Sequence, residues 1–475
     1  LWLAHKYGRD EADAHLLSEW EGYLGSENFH DLIYYDYTDK EQTFDAHSYN
    51  KGGAVLHMLR YIVGDEAFFT ALARYLTDNA LSAVEVDELR IAFEDVTGQD
   101  LQWFFNQWYL STGHPSLTVN TDYDTVAQEV IVMVKQTQDG RQMPPIFQLP
   151  TWIDIYFPGR AQPIRQAVTV DKRQQEFRFP STQQPELVVF DPEHTILAEW
   201  NIEKSDAEWA IQFRRAARFL DRAMALRALA KSELPELDQV ISAALADPYW
   251  GIRVQALQSF TQAQFKPVHY DQIRQLAAAD PHAEVQATAL IKLGIQGDEQ
   301  AVALAKEALK AYPYRVVNAG LTVLAKLAPQ QGVAAAEKLT PEERKAVLSG
   351  LASLYVATND PRYLDFFRTH LSEVNGYEAL SFYDKYAQLA FLSGGENLNT
   401  AIQQFRTIAM DMGQSGWRRF GATKALSEIG NNLSELVEEE GNQSAQQQFE
   451  QVRAAIDAIK QAETDPQLRG IYEQF

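Results

Sequence analysis

The spacing of the apolar residues changes twice along this 475-residue chain, near Pro115 and near Asp206. Before the first position and after the second, apolar residues recur every three or four positions, which is the spacing of one face of an α-helix. Between them lie about seven short runs rich in β-branched and aromatic residues, which are typical of strands. We therefore predict a mixed, mainly α-helical fold in three domains: a helical domain at residues 1–114, a small antiparallel β-sandwich at 115–203 and an α-helical repeat domain at 204–475.

The third segment carries a weak internal repeat. Pro248 in the run DPYWGIRVQAL recurs as Pro281 in DPHAEVQATAL, 33 residues later, and again as Pro313 in YPYRVVNAGL, 32 residues further on. Repeats of about this length indicate stacked pairs of helices, each of which buries its apolar face against the next pair. Because the tetratricopeptide and ankyrin patterns do not occur in the sequence, we predict a HEAT- or armadillo-like α-solenoid.

The charge balance and the residue content exclude several classes of protein. The chain has 42 Lys and Arg against 65 Asp and Glu, so its net charge of −23 would repel a phosphate backbone, and nucleic acid is not an expected partner. The lack of cysteine excludes disulfides, thiol catalysis and cysteine-ligated zinc. No run approaches the roughly 18 apolar residues of a membrane-spanning helix. We predict a soluble protein, cytoplasmic or else periplasmic or secreted, with no transmembrane segment.

The histidines do not form a self-contained zinc site of the common helical type. Such a site needs two histidines about one helical turn apart so that both rings reach one ion. The ten histidines of this chain are nowhere closer than ten residues, and no H-E-x-x-H motif occurs. A phosphate-binding loop and a G-x-S-x-G nucleophile turn are also missing from the sequence. We therefore predict no metal ligands in this chain.

One segment does carry a recognisable pattern. It runs DAHSYNKGGAVLHMLR from Asp45 to Arg60 and is followed by YIVGDEAFF. This segment resembles the Tyr-x-Lys-Gly segment of the aminopeptidase N-like zinc aminopeptidases, the gluzincins. The resemblance continues through the run WFFNQW, which ends at Trp108, and through Gly113-His-Pro115 into the β-rich stretch, in the order usual for that family.

The resemblance implies a fold, an activity and one catalytic residue. Residues 1–114 would be the helical C-terminal part of a zinc-peptidase catalytic domain, and the enzyme would remove N-terminal residues from peptide substrates with a metal-activated water. The hydroxyl of Tyr49 would donate a hydrogen bond to the oxyanion of the tetrahedral intermediate. The opening residues, LWLA, resemble those that follow the third zinc ligand in the family. We therefore expect a truncation just after the zinc-ligand motif, zinc in the full-length parent, none in this chain, and no activity of this chain alone.

Each of these residues also has a structural interpretation. Tyr49 would then bond a backbone carbonyl at an interface. Lys51 and Gly52 are expected to fix the turn and the start of the following helix. His47 and His57 can be second-layer groups near the site or ordinary core and surface histidines.

A second function remains open from the sequence. The chain can be a non-catalytic helical-repeat module whose concave face binds a protein partner. Separately, Arg418 and Arg419, in the run GWRRFGATKAL, can face the interior of the helical array and meet a peptide carboxylate, or else lie on a solvated helix face. The sequence gives no indication of the oligomeric state.

Overall fold

The computed structural model describes residues 2–26, 29–141, 143–440 and 443–475 of the chain. It contains two compact units, Leu1–Phe260 and Thr261–Phe475. The first unit begins with helices, continues as strands and ends with helices, whereas the described part of the second unit is helical. Within the described residues, no helix combines the length and the apolar character that crossing a bilayer requires.

The first unit holds ten α-helices and seven strands within its described residues. Its helices are α1 (Trp2–Tyr7), α2 (Arg9–Leu24), α3 (Gly52–Val63), α4 (Asp65–Asp78), α5 (Val86–Thr97), α6 (Gln102–Trp108), α7 (Asp206–Arg215), α8 (Phe219–Ala228), α9 (Leu237–Leu245) and α10 (Trp250–Ser259). Its strands are β1 (Ser116–Asp124), β2 (Glu129–Gln136), β3 (Leu149–Tyr156), β4 (Ile164–Val170), β5 (Gln174–Pro180), β6 (Leu187–Phe190) and β7 (Glu199–Glu203).

The second unit holds thirteen α-helices within its described residues. They are α11 (Pro267–Ala279), α12 (Ala283–Gln296), α13 (Ala301–Ala308), α14 (Tyr314–Leu327), α15 (Pro329–Ala336), α16 (Pro341–Ala346), α17 (Leu348–Thr358), α18 (Leu364–His370), α19 (Gly376–Ser393), α20 (Gly395–Met410), α21 (Gly416–Glu440), α22 (Gln443–Ala462) and α23 (Pro466–Tyr472). The mixed, mainly α-helical fold predicted from the apolar spacing is confirmed.

The strands form two sheets, one with the order β5-β2-β1-β7 and one with the order β4-β3-β6. The predicted antiparallel sandwich is therefore present, with one exception, because β7 runs parallel to β1 with Ser116 opposite Glu199. Between β6 and β7 the chain crosses from the three-stranded sheet to the four-stranded one. Since a parallel neighbour requires such a crossover rather than a hairpin, the crossover explains the direction of β7.

Helices and sheets of the first unit share one apolar core. Phe104, Phe105 and Trp108 on α6 are buried together with the inward-facing side chains of β1 and β2, such as Leu117 and Val132. The secondary structure changes type between Trp108 and Ser116 and between Glu203 and Asp206, near the predicted domain boundaries. The division into three domains at 114 and 203 stays a prediction.

Candidate active site

The predicted catalytic residue, Tyr49, lies in a π-helical turn, His47–Lys51, that leads directly into α3. The backbone N–H groups of Asn50 and Lys51 both donate to the carbonyl oxygen of Ala46, at 3.0 and 2.9 Å. This doubled bond inserts one extra residue into the first turn of the helix. Single π-helical turns of this kind occur frequently at functional sites, because they redirect a side chain away from the regular helical position.

The carboxylate of Asp45 holds this turn from its N-terminal side. Its Oδ1 atom accepts hydrogen bonds from the backbone N–H groups of His47, at 3.1 Å, and Ser48, at 2.9 Å. Its Oδ2 atom lies 2.6 Å from Nε2 of His30 and 3.0 Å from Nδ1 of His47. Asp45 therefore caps the turn in the way that an N-cap residue caps a helix, and two imidazole rings fix the cap.

The hydrogen bonds of His47 define which of its two ring nitrogens carries the proton. Nε2 of His47 accepts from the backbone N–H of His30 at 3.3 Å, so the ring proton of neutral His47 lies on Nδ1 and is donated to Asp45. Both nitrogens of His30 face acceptors, the carbonyl oxygen of Asp31 at 2.7 Å and the Asp45 carboxylate. The ring of His30 is thus held between the carbonyl oxygen of Asp31 and the carboxylate of Asp45.

The pKa directions agree with this assignment. Burial and the positive charge of His30 lower the pKa of His47, which keeps its ring neutral. Burial opposes ionisation of Asp45, but the hydrogen bonds from the Ser48 N–H and the His30 ring hold its pKa below the ordinary value of 3.8. An ionised Asp45 beside a neutral His47 follows.

Among the described residues, His30, Asp45 and His47 bring possible metal-ligand atoms within 4.8 Å of one another. The arrangement does not fit a metal-ligand set. A ligating imidazole must offer the lone pair of the nitrogen that faces the ion. The nitrogen of His47 that faces the cluster is Nδ1, and it carries the proton because Nε2 accepts from the backbone of His30. We describe the group as a hydrogen-bonded clamp on the turn, and call it the Asp45 clamp.

Lys51 fixes the other end of the turn from inside the protein. Its side chain is fully buried, with Nζ 3.4 Å from the carbonyl oxygen of Ser111 and 5.8 Å from the centre of the Tyr23 ring. Burial lowers the pKa of Lys51 to about 8, and the nearby carboxylate of Asp31 opposes that shift. The turn is thus tied to the core on one side and to the Asp45 clamp on the other.

The side chain of Tyr49 itself points outward, and 62% of its surface is exposed. Its hydroxyl makes no hydrogen bond to any residue that the structure describes, and its ring lies 6.2 Å from that of Phe44. The structural interpretation, a tyrosine bonded to a backbone carbonyl, therefore does not describe Tyr49 in this chain. A rigid turn presents a phenol whose hydrogen-bonding capacity is unused.

Tyr49 lines a cleft of about 570 Å³ formed mainly by α2, α3 and α4. Leu16, Leu56, Phe68 and Leu72 supply apolar walls to this cleft. His57, two turns along α3 from Tyr49, also lines it, and burial together with Arg9 and other guanidinium groups lowers the pKa of His57 to about 4. His57 is therefore a neutral ring beside the cleft at pH 7, whereas His47 belongs to the Asp45 clamp.

Neither sequence interpretation of Arg418 and Arg419 holds. Arg419 is 8% exposed and makes two bonds to the carboxylate of Glu463, at 3.1 and 3.2 Å. Arg418 donates to the carbonyl oxygen of Leu371 at 3.0 Å and to the hydroxyl of Tyr383 at 3.2 Å. Both guanidinium groups are engaged within the second unit, so they lie neither on a solvated face nor free to meet a peptide carboxylate.

Asp45→Ala is expected to destabilise the first unit by about 1–2 kcal/mol at pH 6, because it removes the cap of the turn. Since the pKa of Asp45 in the folded protein is below its ordinary value of 3.8, this contribution is present above about pH 4. It is lost as the pH falls through the lowered pKa. Thermal unfolding of wild type and variant at pH 6 and below pH 3.8 measures the effect, and the two proteins should converge in acid.

The matched control for the cap is Asp36→Ala, because Asp36 is exposed and lies in the same loop. This control should stay within about 0.5 kcal/mol of wild type, as surface substitutions usually do. If Asp45→Ala costs no more than Asp36→Ala, the clamp does not hold the turn.

The segment that contains this site is similar to known peptidases. Residues 24–108, which include the whole π-helical turn, match the Peptidase family M1 domain. The chain is 26% identical to "Aminopeptidase N" of Escherichia coli (strain K12) over 177 residues, which cover 34% of this chain and 19% of that protein. It is 31% identical over 86 residues to "Probable aminopeptidase 1" of Sulfurisphaera tokodaii, covering 18% of this chain and 11% of that protein.

A solved structure extends the likeness of the fold to nearly the whole chain. The crystal structure of Legionella pneumophila aminopeptidase A in complex with aspartic acid superposes with a TM-score of 0.62 at 13% identity, covering 99% of this chain and 60% of that one. At 13% sequence identity, this likeness shows a similar fold and nothing more. The matched stretches span a fifth or less of the length of these curated relatives. The resemblance to aminopeptidase N-like proteins that the sequence indicated is confirmed.

Proposed function

We propose, from the likeness to aminopeptidases just described, that this chain is part of a zinc-dependent aminopeptidase. The enzyme would remove N-terminal residues from peptides by attack of a metal-activated water. The observation that carries the proposal is Tyr49, whose unbonded hydroxyl stands on a π-helical turn above the cleft and inside the segment that matches the peptidase family.

Tyr49 is proposed as the residue that stabilises the oxyanion. When water attacks a peptide carbonyl, negative charge develops on the carbonyl oxygen, and a donor already fixed at that position lowers the barrier. The backbone bonds of the turn, the Asp45 clamp and buried Lys51 restrain the backbone of Tyr49. Such restraint fixes the point on the turn from which the Tyr49 side chain projects towards the cleft.

The zinc ion is proposed to be bound by residues outside this sequence. The ten histidines lack the helical spacing of a zinc site, and the arrangement of His30, Asp45 and His47 is a hydrogen-bonded clamp. When bound, zinc in such enzymes lowers the pKa of a water molecule to about 7 and polarises the carbonyl. The residues of this chain would contribute the oxyanion donor and the apolar walls of the cleft.

This chain alone is expected to show no aminopeptidase activity and no tight zinc binding, because a catalytic zinc site needs three protein ligands. Elemental analysis after extensive dialysis against metal-free buffer, with a fluorogenic aminoacyl amide as the activity probe, checks both expectations. Equimolar retained zinc would mean that a ligand set exists in this chain, and His30→Phe, which removes one ring of the clamp, would show whether the clamp is that set.

The function itself is tested on the full-length protein with zinc and two versions of one peptide, with a free and with an acetylated N-terminus. Mass spectrometry should show stepwise loss of N-terminal residues from the free peptide only, and a chelator should stop the loss. Absence of any cleavage by the zinc-loaded protein would contradict the proposal. The non-catalytic binding module would then be the better description of the helical array.

A further inference from the structure

A second cavity of the first unit, of about 330 Å³, shares no lining residue with the cleft at Tyr49. It is enclosed by α2, by β6 with the loop that follows it, by β7 and by α8. Most of its wall is apolar and comes from the side chains of Leu17, Trp20, Trp200, Ile202, Leu220 and Met224. Ligand pockets begin at about 300 Å³, so this cavity suits a small molecule and is too small for a peptide.

A cation with spare hydrogen-bonding capacity lies in this wall. Nζ of Lys204 donates one hydrogen bond, to Oε1 of Gln212, and lies 4.9 Å from the ring of Trp209. Among the described residues it has no carboxylate within 4 Å. An ammonium has three N–H donors, so two of those of Lys204 remain available to a ligand. Burial lowers the pKa of Lys204 to about 8, because removal from water disfavours the charged form.

An anion with an unused oxygen lines the same cavity. Asp221 is 4% exposed, and its Oδ1 atom accepts from Nε2 of His194 at 3.0 Å. Burial disfavours the charged imidazole, but the Asp221 carboxylate outweighs burial and raises the pKa of His194. Oδ2 of Asp221 accepts no hydrogen bond from the described residues. Lys204 and Asp221 interact electrostatically without forming an ion pair within 4 Å.

The turn that supplies His194 is strained. Asp191 and His194 both have positive φ angles, 52° and 50°, a backbone conformation that residues other than glycine rarely adopt. Three hydrogen bonds to Asp191, from the hydroxyl of Thr151 and from the backbone N–H groups of Thr195 and Ile196, hold the turn in this shape. Backbone strain of this kind is concentrated at ligand-binding sites, where the surrounding structure maintains it.

We propose that this cavity binds a free α-amino acid with an apolar side chain. The carboxylate of the amino acid accepts from Nζ of Lys204, and its ammonium donates to Oδ2 of Asp221. The side chain packs between α2, β7 and α8. Lys204 and Asp221 carry opposite charges, form no ion pair with each other, and each keeps an unused hydrogen-bonding position at the edge of an apolar chamber. These positions match the two charges and the apolar side chain of such a molecule.

The neighbouring charges support a zwitterion over a simple anion. Glu21, Asp191 and Glu199 line the cavity beside Asp221, and Arg227 is paired with Glu21 at 2.7 Å. A ligand carrying only a carboxylate would gain one partner at Lys204 and meet the unpaired oxygen of Asp221. A ligand carrying only an ammonium would leave Lys204 unpaired. The α-amino acid satisfies both groups at once.

The test uses this chain and three probes: L-leucine, 4-methylpentanoate, which lacks the ammonium, and 3-methylbutylamine, which lacks the carboxylate. Calorimetry gives the three Kd values, and the ¹³C-methyl signals of the six methionines show where binding occurs. Leucine should bind with a Kd at least about tenfold lower than either analogue, because each analogue leaves the spare hydrogen-bonding position of either Lys204 or Asp221 unfilled. Only the methyl signal of Met224 should shift.

Two variants and one control assign the contacts. Lys204→Leu should weaken leucine binding about tenfold and erase its advantage over the amine. The matched control is Lys172→Leu, since Lys172 is exposed and distant in sequence, and it should bind leucine like wild type. Met224→Phe fills the cavity and should abolish binding while leaving the circular dichroism spectrum unchanged, so it keeps the test valid if Lys204→Leu fails to fold.

The proposal is overturned if leucine gives no saturable shift of the Met224 signal or if either analogue binds as tightly as leucine. Unaltered leucine binding in Met224→Phe would also overturn it. These results are independent of peptidase activity, because the binding measurements require neither zinc nor a peptide substrate.

Discussion

Tyr49→Phe in the full-length protein is expected to lower kcat about 10²–10³-fold with little change in KM. The substitution removes one hydroxyl and keeps the ring beside Phe44, so the thermal stability should remain close to that of wild type. The hydroxyl makes no hydrogen bond to a described residue of the folded chain, and its loss leaves no buried partner unpaired. Steady-state kinetics and thermal melting of one variant separate a catalytic role from a structural one.

The matched control is Tyr35→Phe, because Tyr35 is 72% exposed and lies in the loop before the turn. It should leave kcat within about twofold of wild type, as surface changes away from a site usually do. If Tyr49→Phe is also within about threefold of wild type, the oxyanion role of Tyr49 is wrong. The likeness to aminopeptidases would then describe the fold without this contact.

Glu463→Ala is expected to destabilise the second unit by about 3–5 kcal/mol. The side chain of Glu463 is fully buried and pairs with the guanidinium of Arg419. It also accepts from the backbone N–H groups of Thr464 and Asp465 ahead of α23. The substitution therefore leaves one buried cation without its counter-ion and two backbone donors without their acceptor. Hydrogen exchange of the amides in α21 and α23 measures the loss.

Two comparisons sharpen that measurement. Glu428→Ala, in the same helix as Arg419, removes a partly exposed pair with Lys424 and should cost no more than about 0.5 kcal/mol. The double variant Arg419→Met/Glu463→Leu removes both charges and should lose less than Glu463→Ala alone, because no buried charge remains unpaired. Equal losses in Glu463→Ala and Glu428→Ala would contradict the structural role of the buried pair.

The order of helices and strands followed from the sequence because local spacing decides it. The strands between Ser116 and Pro180 begin or end within a few residues of the β-rich runs, and each repeated proline precedes a helix, α10, α12 or α14. The direction of β7 did not follow, since it depends on a crossover between sheets rather than on local pattern.

The candidate site was only partly visible in the sequence. Tyr49 could be identified from the sequence because it lies within a short family motif. The Asp45 clamp could not, because it joins His30 to Asp45 across a loop of 15 residues. The π-helical turn was also unforeseen, since one inserted residue leaves the apolar spacing of α3 unchanged. The only signal for the clamp was an acidic residue four positions before Tyr49, where it can cap the turn. The bond between Arg419 and Glu463 spans 44 residues and depends on tertiary packing alone.

The central claim is that Tyr49 binds the charge that develops on the substrate. Its most direct test is the Ki of a phosphinic peptide analogue, whose tetrahedral phosphinate imitates the oxyanion, against the full-length wild-type protein and Tyr49→Phe. If the hydroxyl acts on the oxyanion, Ki should rise by the same factor of about 10²–10³ by which kcat/KM falls. A Ki that stays within about threefold of wild type while kcat/KM falls would contradict the claim.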